Sequence, residues 1–184
     1  MRRRAVMVLA AIVMLGGVAV GLPADAAGQK LTFNLVPSNA QIAACFPELA
    51  AKVTVRLTTD EKGFDKIRLD IRGLPPDQEA TVFLLEQPGS PFGAAQYSGD
   101  VPIGPNGRGH KEFRLIVEEA FASTLVDGQR VFAELNHVGF WLADPAGDDA
   151  CFADGGPVTP FDGDKEASAQ IMNSANFLPG APLP

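Results

Sequence analysis

The chain has 184 residues, 46% of them hydrophobic, which is enough for a globular core without help from a metal or several disulfides. Its 15 Lys and Arg residues face 22 Asp and Glu residues, so the formal net charge is −7. An acidic surface repels phosphate backbones and anionic lipids, which argues against a nucleic acid or a membrane as the partner. The simpler interpretation is that the charge keeps the protein soluble.

The first 27 residues have the organisation of a secretory signal peptide. Three arginines at 2–4 precede an apolar run over 5–22, and Ala24 and Ala26 form a small-residue cleavage pattern. Cleavage would leave residues 28–184, with 12 basic and 21 acidic residues and a net charge of −9. An uncleaved anchor is the alternative, since the run is at the short end of what spans a bilayer. We expect a secreted or cell-envelope protein that leaves the membrane after cleavage.

Two cysteines, Cys45 and Cys151, lie in the part that would be exported. An even number of cysteines in an oxidising compartment predicts a disulfide. It would close a loop of about a hundred residues, for which the chain-entropy estimate is about 4.7 kcal/mol. Two buried free thiols are the alternative. The disulfide would attach the acidic C-terminal segment to the start of the domain.

Alternating apolar and polar residues predict the first strands. The pattern is present over 30–36, over 53–58 and over 67–72. The turn-like residues 60–63 separate the second and third of these runs, which predicts an antiparallel hairpin. Residues 40–51 show no clean period and are interpreted as a connection or a short helix.

The middle of the chain changes character at 79–86, where apolar residues face both sides and predict a central strand. Residues 96–102 and 111–117 read as strands around a turn at 105–107, which predicts a second hairpin. Residues 118–125 have the composition of a short helix of two turns at most. From 129 to 143 the apolar positions switch face at His137, which predicts a bulge or break.

These elements predict an all-β fold, an antiparallel β-sandwich of immunoglobulin-like or Greek-key type, with a closed barrel as the alternative. Residues 28–184 would form one domain. Its acidic, loop-rich C-terminal segment, 144–184, carries seven acidic residues and one basic residue.

Metal ligands are suggested at two places. Asp162, Asp164 and Glu166 lie close together beside a glycine, as in oxygen-rich Ca²⁺ loops, although the spacing does not match an EF-hand. The alternative is a solvated acidic loop. His110 and His137 would bind a transition metal if neighbouring strands brought them together with a third ligand. A hydrogen-bonded histidine at the edge of the core is the alternative for His137.

Three aromatic residues, Phe92, Tyr97 and Trp141, are candidates for a ligand groove because aromatic faces stack on sugars and peptides. The alternative is that they fill the core. The sequence carries no nucleophile elbow, phosphate loop or dinucleotide fingerprint, and nothing in it requires a cofactor. A hydrolase would need a site assembled from distant residues, with a Ser or Asp within reach of His110 or His137.

Short motifs occur over most of the exported part of the chain. They are Gly73-Leu74-Pro75-Pro76, Pro91-Phe92-Gly93, Gln96-Tyr97-Ser98-Gly99-Asp100, Asn106-Gly107-Arg108-Gly109, His137-Val138-Gly139-Phe140-Trp141, Cys151, Val158-Thr159-Pro160-Phe161-Asp162-Gly163 and Ala175-Asn176-Phe177. In these motifs the chain resembles a group of uncharacterised exported bacterial β-sandwich proteins. The resemblance implies that the C-terminal segment belongs to the domain, and it implies no activity.

The sequence therefore favours an exported, non-enzymatic binding module for a protein, glycan or envelope component. A metal-binding exported protein is the alternative function, and an enzyme is the less favoured class because no catalytic constellation is visible.

Overall fold

The structure is a computed structural model, and it describes residues 30–117, 121–152, 155–160 and 166–175. The predicted signal peptide at 1–27 and the residues 178–184 lie outside this part of the chain. The strands are β1 (Lys30–Asn34), β2 (Val36–Pro37), β3 (Ala50–Arg56), β4 (Asp65–Arg72), β5 (Glu79–Leu85), β6 (Ala95–Pro102), β7 (Arg108–Leu115), β8 (Phe121–Val126), β9 (Gln129–Glu134), β10 (His137–Leu142), β11 (Thr159–Pro160), β12 (Glu166–Ala167) and β13 (Gln170–Asn173). The helices are α1 (Ala40–Cys45), α2 (Thr59–Lys62) and a 3₁₀ helix (Pro145–Cys151).

Four strands form the first antiparallel sheet, in the order β1-β3-β4-β7. The predicted hairpin of β3 and β4 is confirmed, with Val53 opposite Leu69. The two central strands, β3 and β4, alternate buried side chains with more exposed ones. This sheet is therefore apolar on one face and polar on the other.

Five strands form the second antiparallel sheet, in the order β2-β13-β10-β5-β6. The prediction of a central strand is confirmed, because β5 pairs with β10 on one side and with β6 on the other. From Ala80 to Leu85 every residue of β5 is buried. Strand β13 comes from the acidic C-terminal segment, so the described part of that segment contributes to the sandwich.

The two sheets pack face to face, which confirms the predicted β-sandwich. The core between them receives Val53, Leu69 and Phe113 from the first sheet, and Val82 and Phe140 from the second. Burial of such apolar side chains is the main favourable contribution to folding.

The predicted second hairpin is wrong. The turn exists, since Gly107 donates its N–H to the carbonyl of Gly104 at 2.9 Å. However, β6 pairs with β5 in one sheet and β7 pairs with β4 in the other. Ile103 is 3% exposed and belongs to the core, so the chain crosses from sheet to sheet at this point. An alternating pattern predicts a strand, but it does not specify the partner.

The predicted short helix at 118–125 is also wrong wherever the structure describes it. Residues 121–126 form β8, which pairs with β9 in a separate two-stranded sheet. The turn between them has positive φ at Asp127 (49°) and Gly128 (77°), the signature of a type I′ hairpin turn. Strand pairing therefore overrides local helix propensity. The break predicted at His137 is confirmed, because β9 ends at Glu134 and β10 starts at His137.

Candidate functional site

The predicted disulfide between Cys45 and Cys151 is present. It joins the last residue of α1 to the last residue of the 3₁₀ helix, across a sequence separation of 106. The Gln41 side chain adds a hydrogen bond to the Cys151 carbonyl at 2.6 Å. Together these contacts attach the start of the C-terminal segment to the chain between β2 and β3.

The two histidines lie on opposite sides of the sandwich. His110 is on β7, exposed, and opposite Asp70 on the outward face of the first sheet. His137 is on β10, opposite Leu85 on the outward face of the second sheet. The structure therefore does not bring them together as a metal pair. Among the described residues, no group of three His, Cys, Asp or Glu side chains is arranged to hold a metal ion.

His137 contacts a serine. Its Nδ1 lies 3.3 Å from Oγ of Ser174, and burial lowers the pKa of the imidazole. Ser174 is fully buried, and its Oγ accepts a hydrogen bond from the N–H of Val138 at 2.9 Å. A substrate has no access to this hydroxyl, so the contact attaches the end of β13 to β10 and does not form a nucleophile and base pair.

The acidic segment is only partly described. Asp162 and Asp164 lie outside the described residues, and Glu166 is an exposed residue of β12 opposite Pro160. Asp148, in the 3₁₀ helix, is completely buried, and its Oδ2 accepts a hydrogen bond from the N–H of Ala169 at 2.9 Å. Burial raises the pKa of this carboxyl group. Asp148 therefore connects the 3₁₀ helix to the segment before β13.

The three aromatic candidates do lie together, with Phe83 as a fourth member. Ring centroids are 5.7 Å apart for Phe83 and Tyr97, 5.3 Å for Phe83 and Trp141, and 5.1 Å for Phe92 and Trp141, all edge to face. Trp141 is 1% exposed, whereas Tyr97 is 55% exposed. The cluster is thus a second, smaller core on the outward face of the five-stranded sheet, with Tyr97 at its rim.

Polar groups close this second core. Asn173 donates to Oε1 of Gln170 at 3.0 Å, and Gln170 donates to the carbonyl of Pro88 at 2.9 Å. At the rim, the Tyr97 hydroxyl donates to Asp100 at 2.6 Å, which raises the pKa of the phenol to about 12. The predicted ligand groove is therefore filled by the protein's own side chains.

The outward face of the four-stranded sheet is different, and no local sequence pattern predicts it. Eight of the 12 basic residues after position 27 occupy outward positions of its strands. We call this surface the basic face. Its basic residues are Lys30, Lys52, Arg56, Lys66, Arg68, Arg72, Arg108 and Arg114. The same positions carry two carboxylates, Asp70 and Glu112.

Both carboxylates of the basic face form ion pairs with neighbouring basic side chains. Arg68 binds Asp70 through Nε and Nη2 at 2.6 to 3.0 Å, and Lys66 binds Glu112 at 2.6 Å. The Arg68 hydrogen bond lowers the pKa of Asp70, with smaller contributions from Lys52 and His110. The Lys66 hydrogen bond likewise lowers the pKa of Glu112. The face therefore keeps an excess of six positive charges on a protein whose net charge is negative.

Six of the eight basic residues form two bands, and Lys52 and Arg68 lie between the bands. At one end, Lys30, Arg56, Lys66 and Arg114 lie side by side across the four strands, and at the other end Arg72 lies opposite Arg108. The β3 positions of the two bands, Arg56 and Ala50, are six residues apart in sequence, which corresponds to about 20 Å along the strand. Between them the outward positions carry Thr32, Asn34, Lys52, Thr54, Arg68, Asp70, His110 and Glu112.

A groove of about 870 Å³ opens at the second band. The side chains that line it include Asn34, Lys52, Arg72, Arg108 and His110. Asp70 is the one carboxylate among the lining residues, and Arg68 already neutralises it. The groove thus joins cationic side chains at one end of the basic face to apolar ones that include Leu35, Ile71 and Met172.

Comparison of the chain with known protein families, curated proteins and solved structures found no match. No helix in the described ranges has the length and apolar character needed to cross a membrane.

Proposed function

We propose that this chain is an exported, non-enzymatic binding module that uses the basic face to bind an anionic partner. One observation carries the proposal: eight basic residues share one exposed sheet face in a chain of net charge −7. Like charges placed side by side on a sheet destabilise it, so such clustering is not expected from folding requirements alone. A bound polyanion offsets this repulsion, and its attraction to the basic side chains favours binding.

Export is supported by the signal-like N-terminal composition and by the disulfide, since disulfides persist in oxidising compartments. Under this proposal the partner is an extracellular or envelope component. We also propose that the sandwich is immunoglobulin-like and that the chain is related to the uncharacterised exported bacterial proteins it resembles.

The experiment compares two triple variants with the same loss of charge. Arg56→Gln, Arg72→Gln and Arg108→Gln remove charge from the basic face. Lys62→Gln, Lys111→Gln and Arg130→Gln remove the same charge from positions outside its outward rows. Retention on a sulfonate cation-exchange matrix at pH 7 is measured for both and for the wild type.

We expect the wild type to be retained despite its isoelectric point of about 4.8, and to elute with salt, because screening weakens exposed charge interactions. The basic-face variant should elute at clearly lower salt, while the matched control elutes close to the wild type. Equal elution of the two variants, or no retention of the wild type in low salt, would refute the proposal.

A further inference from the structure

The pair Arg72 and Arg108 is the most specific feature of the basic face. The two residues are register partners on β4 and β7, so their Cα atoms lie about 4.5 to 5.5 Å apart. Both side chains are exposed, and no described carboxylate forms an ion pair with either. Two guanidinium groups in this position repel each other until an anion lies between them.

The backbone beneath this pair is held rigidly. Gly73, which follows Arg72, donates its N–H to the carbonyl of Gly107 at 3.0 Å. A Cβ at Gly107 would approach the carbonyl oxygen of Leu74 to 2.5 Å, and φ is +67° there, so this close contact requires glycine. The turn therefore constrains the backbone positions of both arginines, which limits the backbone part of the ordering cost of binding.

Guanidinium groups bind carboxylate, sulfate and phosphate oxygens in a bidentate manner. The groove behind the pair adds Lys52 and His110, and it also presents the neutral side chain of Asn34. The middle of the face presents the hydroxyl groups of Thr32 and Thr54, whose Oγ atoms are 3.4 Å apart. In the middle of the face two cations, Lys52 and Arg68, are offset by Asp70 and Glu112. Cationic ends around a middle without net charge, with hydroxyl and amide groups, suit a polymer that carries both oxyanions and hydroxyl groups.

The composition of the face discriminates among polyanions. Outward positions of β1, β3, β4 and β7 carry no Phe, Tyr or Trp, and the ring of Phe64, just before β4, lies 5.0 Å below the Arg114 guanidinium. Binding of single-stranded nucleic acid depends on successive bases stacking on open aromatic rings. Those positions also lack the large apolar residues that insert into a membrane interface. An extended anionic chain of sugars needs neither feature.

We propose that the basic face binds an acidic polysaccharide along its strands, and that Arg72 and Arg108 clamp one oxyanion of that chain in the groove. This inference rests on the proposed function and names its partner class and its principal subsite. The band with Lys30 and Arg56, about 20 Å away, engages the same chain at a second point. Two linked contacts raise affinity as long as the ligand spans both.

The experiment measures dissociation constants by titration calorimetry on the whole exported chain. The ligands are polygalacturonate and its short oligomers (carboxylate), dextran sulfate (sulfate), neutral dextran, and single-stranded oligothymidylate. Arg72→Gln with Arg108→Gln is the clamp variant, and Lys30→Gln with Arg56→Gln is the matched control from the other band. Circular dichroism and thermal unfolding verify that both variants are folded.

With oligomers too short to span the two bands, we expect the clamp variant to lose at least about tenfold in affinity and the control to lose less than threefold. With the full polymers both variants should lose affinity. Replacement of both arginines by lysine, which keeps the charge but not the bidentate geometry, should recover polymer binding but not oligomer binding. Comparison of polygalacturonate with dextran sulfate shows whether the groove binds carboxylate or sulfate more tightly.

Three outcomes would overturn the inference. Equal losses of affinity in the two variants with short oligomers would show that Arg72 and Arg108 do not clamp an oxyanion. The basic face would still be an anion-binding surface. Tighter binding of oligothymidylate than of either acidic polysaccharide would replace the partner class. Failure of the wild type to bind any of the anions in low salt would instead remove the proposed function itself.

Discussion

The two outward faces of this sandwich are opposites. The outward face of the four-stranded sheet is open and basic, whereas that of the five-stranded sheet is covered by its own aromatic cluster and by Ala167. In β4, a strand of the open sheet, buried residues alternate with more exposed ones. In β5, a strand of the covered sheet, six consecutive residues are buried. One face is therefore buried by the protein's own side chains, and the other is exposed to solvent.

The difference also explains why Trp141 is not available for stacking on a ligand. Trp141 makes ring contacts with Phe83 and Phe92 and is shielded from solvent. A ligand would have to displace these contacts before it could stack. The basic face requires no such displacement, because its side chains already project into solvent.

The largest expected effect is on the covered face. Trp141→Ala should lower the free energy of unfolding by about 3 to 5 kcal/mol, because it creates a large cavity between Phe83 and Phe92. Urea unfolding measures the change. Tyr97→Ala, at the exposed rim of the same cluster, should cost about 1 kcal/mol or less. Equal costs for the two substitutions would mean that the face is not covered as described.

A somewhat smaller effect is expected from the disulfide. Replacement of both Cys45 and Cys151 by serine should lower stability by about 2 to 4 kcal/mol, because the bond closes a long loop in the unfolded chain. Reduction of the wild type should lower its free energy of unfolding by a similar amount and lower the thermal unfolding midpoint accordingly. The variant should not respond to reductant, and a loss below about 0.5 kcal/mol would contradict the prediction.

Substitution of Asp148 tests how much its hydrogen bond with Ala169 stabilises the C-terminal segment. Asp148→Ala leaves the N–H of Ala169 buried without its acceptor and should cost about 1 to 3 kcal/mol. Asp148→Asn retains an acceptor oxygen and should cost less.

The same residue predicts a pH dependence. Burial raises the pKa of Asp148 in the folded state, so the folded protein keeps this proton at pH values where the unfolded chain releases it. This contribution to stability is complete below the ordinary Asp pKa of about 3.9 and is lost as the pH rises through the raised pKa. Thermal unfolding between about pH 3 and 7 should show that Asp148→Asn removes this decrease. An unchanged pH profile in the variant would contradict the assignment.

The smallest effect on stability is expected on the basic face. Arg72→Gln with Arg108→Gln should change the free energy of unfolding by no more than about 0.5 kcal/mol, because both side chains are exposed. Any change should be stabilising and should disappear at high salt, since it comes from relieved repulsion. Thermal unfolding at two salt concentrations measures it. A loss above about 1 kcal/mol would indicate that the pair has a structural role.

Local patterns account for the elements that were predicted correctly. Alternation over 53–58 and 67–72 was sufficient for the β3 and β4 hairpin, and the apolar run over 79–86 was sufficient for a central strand. The pairing of Cys45 with Cys151 needed only the count of two cysteines and the expectation of export. One available signal was missed: Asp127-Gly128 is a strong hairpin turn sequence, and it would have predicted β8 and β9 in place of a helix.

The sequence by itself determined the class of fold, which side of each strand is buried, and the existence of the disulfide, because these depend on residue periodicity and composition. Only the tertiary structure decided that β6 and β7 separate into two sheets and that the aromatic residues form a covered core. It also decided that β1, β3, β4 and β7 place their basic residues side by side, which a net charge of −7 conceals. The physical reason is that strand partners and register depend on contacts between residues distant in the chain, and no local pattern contains them.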